Sequence, residues 1–385
     1  MNIFYNRASY PELRTIIDKT DNKYIFISRK KDFAYVLAKF QERLFNKSSY
    51  LYNRIWFRWR PIKRIKNGVV HTFNYLYEGN APWVCTTEIN FPSTHYKMES
   101  EDKKKYFQKV KKYILNEKCK YILPLSNFAK MNILKEASQY LNQQECEIIS
   151  KKIHVLHPPQ QILIDKNRVK RKFSNLSSIK MVFVGNDFWR KGGYITLCAL
   201  QDLRNSYENF EFIIISNLNM DEKSYSTSKE EIINIINNND WITWYQNISN
   251  NEVLDILKQC HIGLLPTYGD TYGYSILEMQ ASGCPVITSN NYALQEINSI
   301  DSGWFCDINT IVEEFGDDYF NSEICNITHI KMVEYLKNII QDLLNSESEK
   351  ILDKALNSLE KIKKEHSPLE YSKILNKIYS DAYNA

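Results

Sequence analysis

The sequence predicts an α/β protein built from two doubly wound parallel sheets, and three observations carry that expectation. The chain has 385 residues, enough for two domains at roughly 100–200 residues each. Apolar runs of strand length alternate with helical segments in both halves, the rhythm of parallel strands covered on both faces. The composition, 43% hydrophobic and 25% charged with only 11 Gly and 10 Pro, is that of a globular protein and excludes disordered, fibrous and collagen-like classes.

In chain order, strands are expected at 24–28 (YIFIS), 69–73 (VVHTF), 83–86 (WVCT), 120–124 (KYILP) and 153–156 (IHVL). Helical periodicity lies between them at 33–45 and 128–141. The second half reads more cleanly. Strands fall at 180–185 (KMVFVG), 210–216 (FEFIIIS), 241–245 (WITWY), 261–266 (HIGLLP) and 285–289 (PVITS), separated by helices near 194–203, 229–237, 250–259 and 275–281. After about residue 330 the chain is helical, with strong formers in ILDKALNSLEKIKKEH, then Pro368 and a last helix over 369–383. The expected division is 1–165, 166–365 and a terminal helix 366–385, with the joint in the polar stretch DKNRVKRKFSNLSS.

Charge is uneven along the chain. Residues 1–165 hold 29 Lys/Arg against 15 Asp/Glu, whereas 166–385 hold 21 against 30. The excess is densest between Arg29 and Lys66 and includes RIWFRWRPIKRIK, where Arg54, Arg58, Arg60, Lys63, Arg64 and Lys66 alternate with aromatic and aliphatic residues. Such a segment suits an anionic membrane surface, a single-stranded nucleic acid, or a solvated helix face. The eight cysteines are irregularly spaced with no C-x-x-C pair, which argues for buried reduced thiols over disulfides or a zinc site. No run approaches the 18 or so apolar residues of a membrane helix. The opening MNIFYNRASYPELR lacks the pattern of a secretory leader. A cytoplasmic protein is expected, with peripheral contact at the cytoplasmic membrane face.

Two constellations carry chemistry. In FVGNDFWRKGG (183–193) a strand ends at Gly185, a loop with Asn186 and Arg190 follows, and Lys191-Gly192-Gly193 opens a helix. A helix N-terminus favours an anion through its unpaired N–H groups, and the lysine adds a full charge. In LLPTYGDTYGYSILEMQASGCPVITS (264–289) a strand ends at Pro266, the loop bears Asp270 and Gly273, and the next helix bears Glu278, eight residues after Asp270. Acidic side chains at strand ends accept hydrogen bonds from the vicinal hydroxyls of a sugar or ribose.

At these motifs the chain resembles the family-4 glycosyltransferases, retaining enzymes of the GT-B fold that use nucleotide sugars. The likeness rests on the Lys191 helix start, the Asp270/Glu278 pair and TSNNYALQEI after the fifth strand of the second half. It implies two Rossmann-like domains facing a cleft, with C-terminal helices crossing back to the first. It also implies that Lys191 holds the donor diphosphate with Arg190, Asn186 and Gly185 nearby, and that Glu278 binds the ribose. Asp270 would hold the transferred sugar, and backbone amides at Gly273, Tyr274, Ser275 and Ile276 would assist. The chain departs from the family in three places: Asn186 stands where Arg is usual, Asp270 replaces Glu, and residues 1–67 contain no Gly.

For the residue that assists from the first domain, the candidates are Glu88, His71 and His95. Glu88 follows an expected strand, where ligand-facing groups belong. The resemblance implies no cofactor beyond the nucleotide diphosphate sugar, UDP- or GDP-linked, and with no D-x-D motif in the sequence no metal is expected. The acceptor implied is a glycan or a polyprenyl-linked glycan. Two other readings fit parts of the sequence: a GT-B nucleotide-sugar epimerase, and a nucleic-acid-binding protein using 54–66. The nucleic-acid reading ranks last because it leaves Lys191, Asp270 and Glu278 without a role.

Overall fold

A computed structural model describes residues 1–30, 36, 50–94, 98–174, 176–219, 227–315 and 322–384. The chain divides into two compact units, residues 1–159 together with 366–385, and residues 160–365.

Unit 1 is built on β1 (Asn2–Tyr5), β2 (Lys23–Phe26), β4 (Val69–Phe73), β6 (Trp83–Thr87) and β7 (Cys119–Pro124), with β3 (Arg58–Trp59) and β5 (Leu76–Tyr77) forming a separate parallel pair. The main sheet is parallel in the order β2-β1-β4-β6-β7. Its helices are α1 (Tyr10–Thr15), α2 (Tyr50–Trp56), α3 (Ser100–Ile114), α4 (Asn127–Tyr140) and α5 (Gln143–Lys152). Sequence neighbours in its strands sort onto opposite faces, as the period of two in a strand requires. Phe4, Val70, Cys85 and Ile122 join a core with Tyr106, Phe107, Val110 and Ile133 from α3 and α4. Ile3, Val69, Val84 and Leu123 join the other core. The expected strand at 153–156 is an extended segment running parallel beside β7, bridging Ile153 to Ile122 and donating from His154 N to Ile122 O and Leu156 N to Pro124 O, at 2.9 and 3.0 Å. The helix expected at 33–45 lies outside the described residues.

The basic aromatic segment is largely spent on this unit. Trp59 is fully buried, and Arg58 and Arg60 both pair with Glu78, at 3.3 and 3.4 Å. Lys63, Arg64 and Lys66 stay exposed beside Ile62.

Unit 2 begins with α6 (Lys166–Phe173) and runs β8 (Ile179–Val184), α7 (Gly193–Arg204), β9 (Phe210–Ile215), α8 (Lys229–Asn237), β10 (Ile242–Tyr245), α9 (Asn250–Leu257), β11 (Ile262–Leu265), α10 (Tyr274–Ala281), β12 (Val286–Ser289), α11 (Leu294–Ile297), β13 (Gly303–Cys306), α12 (Asn309–Phe315), α13 (Ser322–Leu344) and α14 (Ser348–Glu365). The sheet is parallel in the order β10-β9-β8-β11-β12-β13. Strand order reverses direction at β8 and β11, so the chain leaves these neighbours toward opposite edges and opens a crevice at their carboxyl ends.

Local sequence sets the helix starts. Ser228 with Glu231, and Ser249 with Glu252, form capping boxes ahead of α8 and α9, satisfying donors that a helix start leaves unpaired. Lys172 of α6 donates to Ser282 O and Gly283 O, at 3.0 and 2.8 Å, and so caps the far end of α10.

The final helix, α15 (Pro368–Asn384), belongs to unit 1. Its Tyr371, Leu375, Ile378, Tyr379 and Ala382 complete the core on the Ile3, Val69 and Val84 face. Tyr371 Oη also donates to Thr15 O. No described helix is long and apolar enough to cross a membrane.

Candidate active site

The crevice of unit 2 is lined by the connections that follow β8 and β11. Gly185 closes β8, its N–H donating to Ile215 O at 3.0 Å. A Cβ at Gly185 would lie 2.7 Å from Lys191 Cδ, so the bare backbone leaves room for the lysine stem to fold across it. Gly192 has φ 81°, and a Cβ there would lie 2.1 Å from Pro266 O. Only glycine meets both demands.

The two connections are held as one piece. Arg190 O accepts from Tyr268 N and from Thr267 Oγ1, both at 2.9 Å. The Arg190 guanidinium donates to Gly269 O and, at 2.6 Å, to Asp187 Oδ2. From the end of β12, Ser289 Oγ donates to Thr267 O and Asn291 Nδ2 donates to Tyr268 O.

Within this frame Lys191 Nζ lies 3.0 Å from Asp270 Oδ2, with both side chains mostly covered. That oxygen has no well-aligned hydrogen-bond donor, so the contact is an ion pair that leaves lone-pair capacity unused. Beside it α10 starts at Gly273, whose backbone is left-handed with φ 81° and which supplies no capping side chain. Tyr274, Ser275 and Ile276 form the first turn, and the buried Ser275 Oγ has no hydrogen-bond partner. Glu278 sits one turn into α10 at 3% exposure. Asn186 is exposed. Its carbonyl and side-chain oxygen accept from Asn219 N and Asn217 N, at 2.9 and 3.4 Å, tying the β8 and β9 connections together.

The structure thus joins Lys191 and Asp270 directly and puts Glu278 on the helix that follows Asp270. Arg190 acts through the frame, its guanidinium fastening the two loops. In unit 1 Glu88 follows β6, half-buried, with its N–H donating to Asn74 Oδ1 at 3.3 Å. His71 does not suit a catalytic part. It is fully buried, with Nδ1 2.7 Å from Tyr379 Oη and Nε2 2.8 Å from Thr86 Oγ1. Burial lowers its pKa to about 3, and both ring nitrogens are occupied, so it is a core histidine. His95 lies outside the described residues. Sequence reasoning passed over Tyr268, Thr267, Ser289 and Asn291, whose roles depend on which loops meet in space.

Residues 165–318 match the family described as glycosyl transferases group 1. The matched stretch contains Lys191, Asp270 and Glu278. An 80-residue stretch is 30% identical to glycogen [starch] synthase of Dictyostelium discoideum, spanning 20% of this chain and 9% of that relative. Among solved structures, HepE of Anabaena in complex with UDP superimposes at a TM-score of 0.60 and 9% identity, covering 99% of each chain. Its complex with UDP-glucose gives 0.60 at 11% identity over 99% and 100% of the two chains. Sucrose-phosphate synthase from Thermosynechococcus elongatus gives 0.59 at 12% identity over 100% and 89%. At such identities the likeness is one of fold, and that fold is the GT-B pair of Rossmann-like units.

Proposed function

We propose that this chain is a retaining, metal-independent family-4-like glycosyltransferase that moves a hexose from a UDP- or GDP-linked donor to a glycan or a polyprenyl-linked glycan. The observation that carries the reading is the Lys191–Asp270 pair at the crevice between β8 and β11, beside the uncapped first turn of α10. A diphosphate leaving group gathers negative charge as it departs, and an ammonium with helix-start amides is placed to receive it.

Donor binding on this reading exchanges partners. The diphosphate draws Lys191 away from Asp270, whose carboxylate then accepts from hydroxyls of the transferred sugar. Glu278 accepts from the ribose. The bond from the anomeric carbon to the phosphate oxygen breaks, and the acceptor oxygen bonds that carbon on the same face. The acceptor proton passes to the departing phosphate. Unit 1 receives the acceptor, with Glu88 the residue favoured to assist.

The solved HepE complexes hold UDP and UDP-glucose, which favours UDP as the nucleotide here. Calorimetric titration with UDP, GDP, ADP, dTDP and their hexose conjugates tests the donor site. Lys191→Ala and Glu278→Ala should each abolish the heat of the best ligand. Retention of binding in both variants would remove the assignment. Exposed Lys63, Arg64 and Lys66 around Ile62, at 60% exposure, support contact with anionic lipid. Sedimentation with vesicles of rising phosphatidylserine content should rise in step, and indifference to that content would exclude the contact.

A further inference from the structure

Helix α13 lies outside the group 1 match at 165–318, yet one of its side chains reaches behind both loops of the crevice. His329 stacks on Trp189, with centroids 5.7 Å apart and planes at 20°, and on Tyr194, at 5.2 Å and 21°. Its Nδ1 lies 3.4 Å from Tyr268 Oη. Trp189 immediately precedes Arg190 and Lys191, and Tyr268 stands two residues before Asp270. Both rings are buried, at 4% and 1% exposure, while His329 itself is half-buried. Tyr194 is anchored in turn, its hydroxyl 2.8 Å from Thr227 Oγ1.

The loops are tied to each other by Arg190 and to the end of β12 by Ser289 and Asn291. A ring seated against an aromatic of one loop and bonded to an aromatic of the other adds a tie to both from α13. The anchor itself is firm, because α13 runs along α7. Burial lowers the His329 pKa to about 4, so the ring is neutral at ordinary pH and acts as a hydrogen-bonding wedge without adding a rival cation.

We propose that His329 is a positioning residue for the donor site, fixing through Trp189 and Tyr268 where Lys191 and Asp270 meet a nucleotide sugar. The inference rests on the donor reading above and adds to it a residue from beyond the matched domain. Because it acts through two aromatic residues, His329 governs affinity without touching the ligand.

The test uses the full chain with UDP-glucose as probe. His329→Phe keeps a ring and loses the acceptor, Tyr268→Phe loses only the hydroxyl, and His329→Gln can still accept from Tyr268. Each Phe variant should weaken UDP-glucose binding about fivefold, the effect of one hydrogen bond. His329→Gln should recover most of it, with thermal midpoints staying near that of the parent chain. The double variant should be no weaker than either single one, since both remove the same contact. Unchanged affinity in the Phe variants, or additive losses in the double, overturns the inference. Lys191→Ala separates the two levels. If it abolishes binding while His329→Phe does not weaken it, the donor reading stands and the inference fails. If the parent chain ignores UDP-glucose, or Lys191→Ala binds it normally, both fall.

Discussion

Lys191 and Asp270 neutralise one another at 3.0 Å, so on the proposed reading a nucleotide competes with a carboxylate for the ammonium. Asp270→Asn should therefore tighten UDP binding several-fold while slowing transfer at least tenfold, because the same change frees the cation and weakens the grip on the sugar. Calorimetry alongside turnover would separate the two effects. A second expectation concerns His71. Its imidazole ionises at about 3 in the folded chain and near 6.5 once unfolded. Both states are neutral above pH 6.5 or so, and below it the unfolded chain takes up the proton first. Stability should fall by about 2 kcal/mol between pH 7 and pH 5 on this account alone. Urea midpoints at the two values should show that loss, and His71→Gln should show less of it. The buried His261, with a pKa lowered to about 4, pulls in the same direction. Lys191, Asp270 and Glu278 were legible in the sequence because strand ends and helix starts fix their places. The place of His71 was not, since its partners Tyr379 and Thr86 stand 308 and 15 residues away.

The joint between β8 and α7 depends on Gly192. Its left-handed backbone and the 2.1 Å approach of Pro266 O to an added Cβ set the spacing of the two crevice loops. Gly192→Ala should cost roughly 2–3 kcal/mol through strain and displaced backbone, read as a lower denaturant midpoint, and should weaken nucleotide binding as well. The strands of unit 2 were legible because continuous apolar runs such as MVFV and FIII announce a sheet covered on both faces. The four-residue strands β1 and β13, NIFY and GWFC, were passed over, being too short and too mixed to show a period. Helix α3 was hidden by its lysines. Its buried Tyr106, Phe107, Val110 and Ile114 form a stripe at helical spacing that the surrounding charge obscures. The segment at 153–156 has the composition of a strand and pairs with β7 through two backbone hydrogen bonds, ahead of Pro158 and Pro159.

Unit 1 is closed by a helix from the other end of the chain. Deleting residues 366–385 would bare Ile3, Val69, Val84 and Leu123, which α15 now covers. Such a truncated chain should aggregate or lose the unfolding transition of unit 1, while unit 2, continuous in sequence from 160 to 365, should keep its own transition. Differential scanning calorimetry of the two chains would show it. The twofold α/β organisation was legible from the alternation of runs alone. The arrangement of strands within each sheet was not, because strand order depends on long-range pairing that no local pattern encodes.

The split makeup of unit 1 also bears on how the protein comes into being. A ribosome releases the strands of unit 1 first, yet α15, which shields one face of them, is the last described element to emerge. Unit 2 has every one of its strands and helices in hand before that helix is made. Unit 2 is therefore expected to mature ahead of its elder neighbour, which waits half-clad until α15 emerges.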